Sequence, residues 1–499
     1  MLRSIVSNSA FSFVSDVASR LSSALLLILI ARQLGEAEAG MFTLGNNYAL
    51  ILSAIALWGL DQLLIQNVAH DRRLSGQYFT HFLMIRMVLA PVLWALLAAF
   101  ILGLQPYQPL TNRVIAVMGG TLIGLSVSNL VQSLLISQER MWLSALVSTV
   151  VSGLLLVTSF AAFSSGLGME ALALLIVVAS WIQAAVLVWV SRKDLYPAGF
   201  RLDLSFSWRE LGAGFPFVPI GLFIALEAQL GAVLLSFFHS EAAVGTYGMA
   251  NTIVAALALL SQALRLGIFP AMARLYPTDH DRFVRLYERA WRYLAIIGFP
   301  VVILLVLFSE WIIYFVYRRP APDAVLTLQW LAPTLLFYFL NIPNARLMIL
   351  AGRQRMLARL FAISAFVNVL VGLLLIPHYG APAVAMARVT SMAVLFTLGN
   401  VYVHRRILAA RPWQLIWKPT VAAAIMALVV FVALPEWPLL VSGLIGVAVF
   451  GVLLILLRAI PTDDWLRLRD RLAVWARLGP FKRWYKKDSF VSGSKKRVE

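Results

Sequence analysis

Long runs of apolar residues, separated by short polar stretches, follow one another along the whole chain. A helix needs about 20 residues to cross the roughly 30 Å hydrocarbon layer of a membrane. By that criterion the runs predict about fourteen membrane-spanning helices. The end of the ninth run, WIIYFVYRR, also fits a segment at the membrane interface. The predicted spans are 10–33, 39–66, 78–103, 112–137, 141–164, 168–191, 211–237, 242–269, 288–317, 324–351, 356–377, 380–404, 414–434 and 438–458.

The composition supports the same class of protein. Hydrophobic residues make up 61% of the chain and charged residues 13%, and the mean hydropathy is +0.85. Soluble domains are about 45–50% apolar and about 25% charged. We therefore predict an all-α polytopic membrane protein and exclude a large soluble helical protein. The start, MLRSIVSNSA, has no cleavage pattern, so we expect it to remain as the beginning of the first helix.

The positive charge follows the predicted topology. The net charge is +18, which by itself would also suit a nucleic-acid partner. However, most Lys and Arg residues fall in alternate loops and in the C-terminal tail, as on the cytoplasmic side of membrane proteins. We therefore expect membrane lipids and no nucleic acid as partners, and both termini in the cytoplasm. The exceptions on the predicted outer side, where the loops are short, are Arg32, Arg113, Arg318 and Arg319.

Residues typical of cofactor chemistry are scarce. The chain has no cysteine, which excludes a disulfide framework, a thiolate metal site and a cysteine nucleophile. None of its six histidines is paired at metal-ligand spacing, and the phosphate-binding pattern GxxxxGK[ST] does not occur. We predict no metal, no cofactor and no direct use of ATP by this chain.

A weak internal repeat divides the chain. GEAEAGMFTLGNN and SEAAVGTYGMANT align with Gly40 opposite Gly245. ERMWLSAL with QRMLARLF, and GxxAxA at Gly168 with the same pattern at Gly380, follow in order, 205 to 215 residues apart. This offset covers six predicted spans, so the two halves would share one orientation about an axis along the membrane normal. The predicted domains are a six-helix bundle at 1–193, a cytoplasmic linker at 194–210, a second six-helix bundle at 211–406, two additional helices at 407–460 and a basic amphipathic tail on the cytoplasmic leaflet at 461–499.

Two six-helix halves with two added spans are the plan of a transporter, and the opening of the chain resembles one family. The polar start with Arg20, the run LLLILIARQLGEAEAGMFTL and the repeated SEAAVGTYGMA are similar to polysaccharide transporters. These belong to the multidrug/oligosaccharidyl-lipid/polysaccharide exporter superfamily, which contains the flippases of lipid-linked oligosaccharides. The resemblance covers essentially the whole chain. It implies two parallel-repeat bundles around a central cavity, and a transporter that is not an enzyme.

Charged residues within the predicted spans are candidates for function. Each charge costs about 2.5–3.5 kcal/mol at the centre of a bilayer, so we expect these side chains to pair or to face water. Salt bridges that only hold helices together are the structural alternative. The residues are Asp16, Arg20, Asp61, Arg86, Glu227, Arg265 and Arg388. Arg388 and Arg346 are also placed where their side chains could reach the cytoplasmic headgroups.

Arginine binds phosphate oxygens through its planar fork and stays charged when it is desolvated. In the family that the chain resembles, the first two spans of each half line the cavity. The resemblance therefore implies Arg20 and Arg265, in corresponding positions of the halves, as the leading phosphate ligands. Further candidates for the substrate are Arg86, Asn47, Asn251 and Gln262, beside the amides Asn46, Gln62, Gln66 and Gln229. The candidates for charge balance or ion coupling are Asp16, Asp61 and Glu227.

Span seven contains a candidate hinge. Its start, GAGFPFVPIGLF, carries Pro216 and Pro219, and each proline inside a helix removes one backbone hydrogen bond. A hinge would let the two halves rock, whereas a fixed kink is the alternative.

Together these features predict a flippase. Its substrate would be an undecaprenyl-pyrophosphate-linked oligosaccharide, moved by alternating access across the cytoplasmic membrane of a bacterium, and its partners would include a polysaccharide polymerase and glycosyltransferases. A multidrug exporter of the same superfamily is the first alternative, and it would favour organic cations. A membrane polysaccharide polymerase or ligase is the second, although the short outer loops leave little room for its active site.

Overall fold

The computed structural model describes residues 17, 20–195, 203–215, 218–409, 413–433 and 437–459, and these residues form helices joined by short turns. The first helix, α1, covers 20–33. It is followed by α2 (Glu36–Ala56), α3 (Leu60–His70), α4 (Ser75–Leu104), α5 (Pro109–Met118), α6 (Thr121–Ser137), α7 (Met141–Ser164), α8 (Met169–Leu195) and α9 (Leu204–Gly214). The later helices are α10 (Val218–Phe238), α11 (Glu241–Leu275), α12 (His280–Leu307), α13 (Ser309–Tyr317), α14 (Pro322–Leu331), α15 (Pro333–Leu350), α16 (Gln354–Tyr379), α17 (Ala381–Arg406), α18 (Trp413–Leu428) and α19 (Leu439–Leu456). We refer to α1–α8 as the first lobe and to α10–α17 as the second lobe.

The predicted all-α polytopic membrane architecture is confirmed. Thirteen helical segments of the described residues are long and apolar enough to cross a membrane. They coincide with the predicted spans from the second to the fourteenth. The predicted first span, 10–33, is described at Val17 and from Arg20 onward. The residue boundaries proposed for the domains stay predictions, and the tail at 461–499 lies outside the described residues.

Several spans that were predicted as single helices are divided in two. The second span breaks between α2 and α3, where Trp58 and Gly59 adopt left-handed backbone angles with φ of 50° and 67°. Such angles cost a bulky residue free energy, whereas glycine tolerates them. Span 288–317 separates into α12 and α13 at Phe308, in agreement with the alternative noted for its end. The fourth span is also divided, into α5 and α6, and the tenth span is divided into α14 and α15.

The connection between the lobes contains a helix of its own, α9, which begins within the stretch predicted as a linker and continues beyond it. Asp203 begins this helix by accepting hydrogen bonds from the backbone N–H groups of Ser205 and Phe206. A hydrogen bond from the Ser205 hydroxyl, together with these backbone bonds, lowers the pKa of Asp203 below its ordinary value. The helix lies against the first lobe, where Ser207 Oγ is 2.9 Å from His81 Nδ1. Residues 211–214 therefore belong to α9, and not to the seventh span as predicted.

The two added helices pack on the outside of the second lobe. Ala422, Ala423 and Met426 of α18 form one apolar cluster with Phe450 and Leu454 of α19. The residues of α12 that pack against this cluster are Ile296, Phe299, Ile303 and Leu304. The seam between α18 and α12 is therefore filled by apolar side chains.

Candidate functional site between the two lobes

The repeated glycines bring the two lobes together. Gly40 of α2 lies against the Glu241 carbonyl at the start of α11, and Gly245 of α11 lies against the Glu36 carbonyl at the start of α2. A methyl group on either glycine would overlap the opposite backbone. One turn further on, Thr43 contacts Gly248. The predicted repeat therefore forms a reciprocal contact between the lobes, at the end where both helices begin.

Polar side chains add to this contact at the same end. Tyr107 Oη is 2.8 Å from Ser236 Oγ of α10 and 2.8 Å from Tyr48 Oη of α2. Thr111 Oγ1 donates to Glu241 Oε1 at 3.1 Å. Tyr107 lies just before α5 and Thr111 lies within it, so both belong to the first lobe. Their partners Ser236 and Glu241 belong to the second lobe, and these hydrogen bonds therefore join the lobes. We call this end the predicted outer end, because α2 and α11 follow predicted outer loops.

A buried ion pair fills the break between α2 and α3. Arg86 of α4 is completely buried, and its Nη2 lies 2.7 Å from Asp61 Oδ1 in the first turn of α3. The guanidinium also donates to the carbonyls of Ser126 at 2.8 Å and Leu57 at 3.5 Å. Ser133 Oγ donates to the same Asp61 oxygen at 2.8 Å. Arg86 thus adds a second hydrogen bond to the Leu57 carbonyl at the break, which also accepts the backbone N–H of Leu60 at 3.1 Å.

This geometry changes the role that we expected for Arg86. Its Nη atoms are committed to Asp61, Ser126 and Leu57, and its Nε is buried without a hydrogen-bond partner. In this conformation Arg86 cannot contact a substrate. Asp61 retains 20% exposure of its side chain and forms an ion pair with Arg86, and its role in charge balance or ion coupling stays a prediction.

A second buried cation lies within the second lobe. Arg388 of α17 donates to Tyr338 Oη at 2.7 Å, Asn251 Oδ1 at 3.0 Å and Tyr247 Oη at 3.2 Å. Its Nε lies 3.9 Å from Glu227 Oε1, and neither atom has a hydrogen-bond partner. One guanidinium thereby links α10, α11, α15 and α17.

Reaching the cytoplasmic headgroups was the alternative to a paired position for Arg388, and the burial of its side chain excludes that alternative in this conformation. The residue is buried because a carboxylate, an amide and two phenols from three neighbouring helices surround it. The sequence did place Glu227 and Arg388 inside spans, but it gave no indication that they meet. The roles of Tyr247 and Tyr338 were missed, since a tyrosine in an apolar span has no pattern that distinguishes a ligand from a core residue.

The remaining candidates are placed as follows. Arg20 on α1 and Asn46 on α2 are exposed, and so are Gln62 and Gln66, one turn apart on α3. Asn47 is buried at 6% exposure. The side chains of Gln262 and Arg265 on α11, together with Asp16 and Pro216, lie outside the described residues. Pro219 is exposed near the start of the described part of α10, so the hinge stays a prediction.

Arg20 and Arg265 are not counterparts in the repeat. Gly40 of α2 meets Gly245 of α11, which makes α11 the counterpart of α2 and α10 the counterpart of α1. Arg20 lies on α1, whereas Arg265 lies on α11. The expectation that they occupy corresponding positions is therefore wrong, although both helices belong to the set that was expected to line the cavity.

Comparison with known proteins agrees with this architecture. A profile of the polysaccharide biosynthesis protein family matches residues 5–276, more than half of the chain. The chain belongs to this family. A second profile, MatE, matches residues 221–374 of this chain. The family consists of transporters and flippases and not of enzymes, as predicted.

The individual relatives of this chain are distant in sequence. The "Probable flippase AglR" of Haloferax volcanii is 24% identical over 447 residues, which cover 86% of this chain and 90% of the relative. Among solved structures, a lipid II flippase MurJ in an inward closed conformation has a TM-score of 0.72 at 15% identity, covering 90% of this chain and 99% of MurJ. An inward-facing multidrug resistance transporter of the MATE family has a TM-score of 0.61 at 14% identity, covering 80% and 95%. These structures show that the fold is the one shared by MurJ and MATE transporters.

Proposed function

We propose that this protein is a flippase for a lipid-linked oligosaccharide, and that it moves the polar headgroup between the lobes while the lipid tail stays in the membrane. The observation that carries the proposal is the reciprocal contact of the two lobes at the repeated glycines, in a member of the polysaccharide biosynthesis protein family. Alternating access requires such a contact to form and to separate. The name of the Haloferax volcanii relative supports the same activity.

The exposed polar side chains of the first lobe support a hydrated path. Arg20 lies on α1, and Gln62 and Gln66 lie on one face of α3. A polar side chain that faces lipid is unfavourable, so polar residues on spanning helices usually face protein or water. Amide groups suit the hydroxyls of a sugar, and a guanidinium suits a phosphate. We therefore propose that these side chains contact the headgroup.

Undecaprenyl pyrophosphate is the lipid carrier that we propose, with Arg20 and Arg265 as the phosphate ligands. Arg86 and Arg388 are not available for this role in the present conformation. A carboxylate and backbone carbonyls surround Arg86, and a carboxylate, an amide and two phenols surround Arg388. Asp61 and Glu227 balance these two buried charges. Asn47, Asn251 and Gln262 remain candidates for sugar hydroxyls, although Arg388 already occupies Asn251 Oδ1.

The proposed setting is the cytoplasmic membrane of a bacterium, with both termini in the cytoplasm. The distribution of Lys and Arg over alternate loops supports this orientation. A polysaccharide polymerase and glycosyltransferases are the proposed partners, since they would use and supply the lipid-linked repeat unit.

The test is a flipping assay with purified protein in lipid vesicles that contain the lipid-linked oligosaccharide. Arg20→Ala and Arg265→Ala should each slow flipping by at least about tenfold, the effect of losing roughly 1.4 kcal/mol of binding. Arg113→Ala is the matched control, because Arg113 pairs with Glu170 within the first lobe, 2.6 Å away. Unchanged flipping in both arginine variants would contradict the assigned ligands, and no flipping by the unaltered protein would contradict the function.

A multidrug exporter is the second candidate, because the MatE profile matches residues 221–374. Export of an organic cation such as ethidium from the same vesicles, without flipping of the oligosaccharide, would favour it.

A further inference from the structure

Two arginines at the predicted outer end connect the lobes through the ends of helices. Arg32, in the last turn of α1, donates from Nε to the Val316 carbonyl at 2.7 Å and from Nη2 to the Phe315 carbonyl at 3.2 Å. In return Arg319, two residues after α13, donates from Nη2 to the Arg32 carbonyl at 3.3 Å. Each arginine therefore binds the end of a helix in the opposite lobe.

These carbonyls are the ones that a helix leaves unpaired. The last four C=O groups of an α-helix have no partner within it, and they form the negative end of its dipole. Phe315 and Val316 lie in the last turn of α13, and Arg32 lies in the last turn of α1. A guanidinium can donate to two acceptors at once, so Arg32 suits the pair of carbonyls better than a single ammonium would.

Both helix ends are attached to the elements that form the glycine contact. Tyr317, 1% exposed, donates from Oη to the Met249 carbonyl of α11 at 2.9 Å, which fixes the end of α13 to that helix. On the other side, α1 leads through Gly35, with φ of +136°, directly into α2. Any separation of α2 from α11 at this end would pull the two arginines away from their carbonyls.

The other two arginines of the predicted outer side do not cross between the lobes in this way. Arg113 pairs with Glu170 of α8, and both belong to the first lobe. Arg318 lies over the ring of Phe315 at 5.1 Å, within the second lobe. The four arginines thus provide two crossing contacts and two controls of the same charge.

We propose that Arg32 and Arg319 form a latch that holds the lobes together at the predicted outer end and must release each time that end opens. The latch acts on the position of the lobes and needs no substrate. It adds a mechanism to the proposed function, but it can be tested on the purified protein alone. Failure of the flipping assay and failure of the latch can therefore be distinguished.

Thr111 provides a reporter for this test. It is completely buried and donates to Glu241 across the lobes, so Thr111→Cys would react with a maleimide only when the lobes part. Gln108→Cys, exposed on the same turn, reports reactivity that does not depend on opening. The chain has no other cysteine, so each variant carries one reactive thiol.

In the Thr111→Cys background, Arg32→Ala should raise the alkylation rate about tenfold. This increase corresponds to a decrease of roughly 1.4 kcal/mol in the free energy needed to open this end. Arg32→Lys should raise it less, because the charge remains and one hydrogen bond can form. Arg113→Ala should leave it unchanged. Arg319→Ala serves as a second variant and should raise the rate as well, because it removes the reciprocal bond.

Two results would overturn the proposal. One is an alkylation rate that neither Arg32→Ala nor Arg319→Ala raises. The other is an equal increase in Arg113→Ala, which would make the effect one of surface charge. If the rate also rises at Gln108→Cys, the variant has lost its fold, and the other arginine variant then decides the matter.

Discussion

Gly40 and Gly245, which align in the internal repeat, each face the backbone of the other's helix: Gly40 lies against the Glu241 carbonyl and Gly245 against the Glu36 carbonyl. The contact is symmetric because the two residues occupy the same position in helices that begin at the same end. A repeat related by an axis along the membrane normal produces this arrangement when the equivalent helices meet at that axis. The glycines are needed here for close approach of the backbones.

Gly40→Ala and Gly245→Ala should disturb this contact, because the added methyl would overlap a carbonyl that cannot move alone. Overpacking of this kind costs about 1–3 kcal/mol. We expect faster alkylation at Thr111→Cys in both variants. Gly103→Ala is the control, since no heavy atom other than its own neighbours lies within 4 Å of the added methyl. Equal rates in Gly40→Ala and Gly103→Ala would contradict the prediction.

Arg86→Met should destabilise the first lobe, because it leaves the Asp61 carboxylate without its cation beside the break between α2 and α3. Breaking a buried ion pair costs about 3–5 kcal/mol, and the partial exposure of Asp61 favours the lower value. The free energy of unfolding in detergent is the measurement. Arg113→Met is the control, because its pair with Glu170 is exposed and is worth less than about 1 kcal/mol.

The same pair offers a rescue experiment. Asp61→Asn combined with Arg86→Met removes both charges and keeps an oxygen that can accept from Ser133. The double variant should recover part of the stability that Arg86→Met loses. A double variant less stable than Arg86→Met would show that the ion pair is not the source of the effect.

Arg388→Met should destabilise the second lobe more than Glu227→Gln does. Arg388 makes three hydrogen bonds, to Tyr338, Asn251 and Tyr247, whereas Glu227 only approaches its Nε at 3.9 Å. We expect a difference of about 2 kcal/mol in the free energy of unfolding, from the loss of several charge-assisted bonds. If the two variants were equally stable, the carboxylate would contribute as much as the whole set of hydrogen bonds.

Linking the lobes at the predicted outer end should block transport. Thr111→Cys with Glu241→Cys, joined by a short bifunctional thiol reagent, would prevent α5 from leaving α11, because these side chains meet at 3.1 Å. Flipping in vesicles should stop and return after cleavage of the linker. Arg113→Cys with Glu170→Cys joins two helices of the first lobe and should leave flipping intact. Inhibition by both pairs would indicate damage by the reagent.

The contacts of the outer arginines Arg32 and Arg319 could be predicted from the sequence only in part. Arg32 and Arg319 stood out because they departed from the distribution of positive charge, and that departure was the only signal of their role. Their acceptors are backbone carbonyls of α13 and α1. Every residue has a backbone carbonyl, so the residue types along the chain do not indicate which carbonyl is the acceptor. Helix ends 284 residues apart can be matched only when the fold places them together.

The sequence alone determined the helical class, the spans from the second to the fourteenth, the alignment of Gly40 with Gly245 and the family, because each of these depends on local hydrophobicity or on residues close together in the chain. The tertiary structure decided which buried charges meet. It paired Asp61 with Arg86 and placed Arg388 among residues of three other helices. Any carboxylate in an apolar span can reduce the free-energy cost of burying any arginine. The cost therefore shows that a buried arginine needs a partner, but it does not show which one. Only the packing of helices in three dimensions makes that choice.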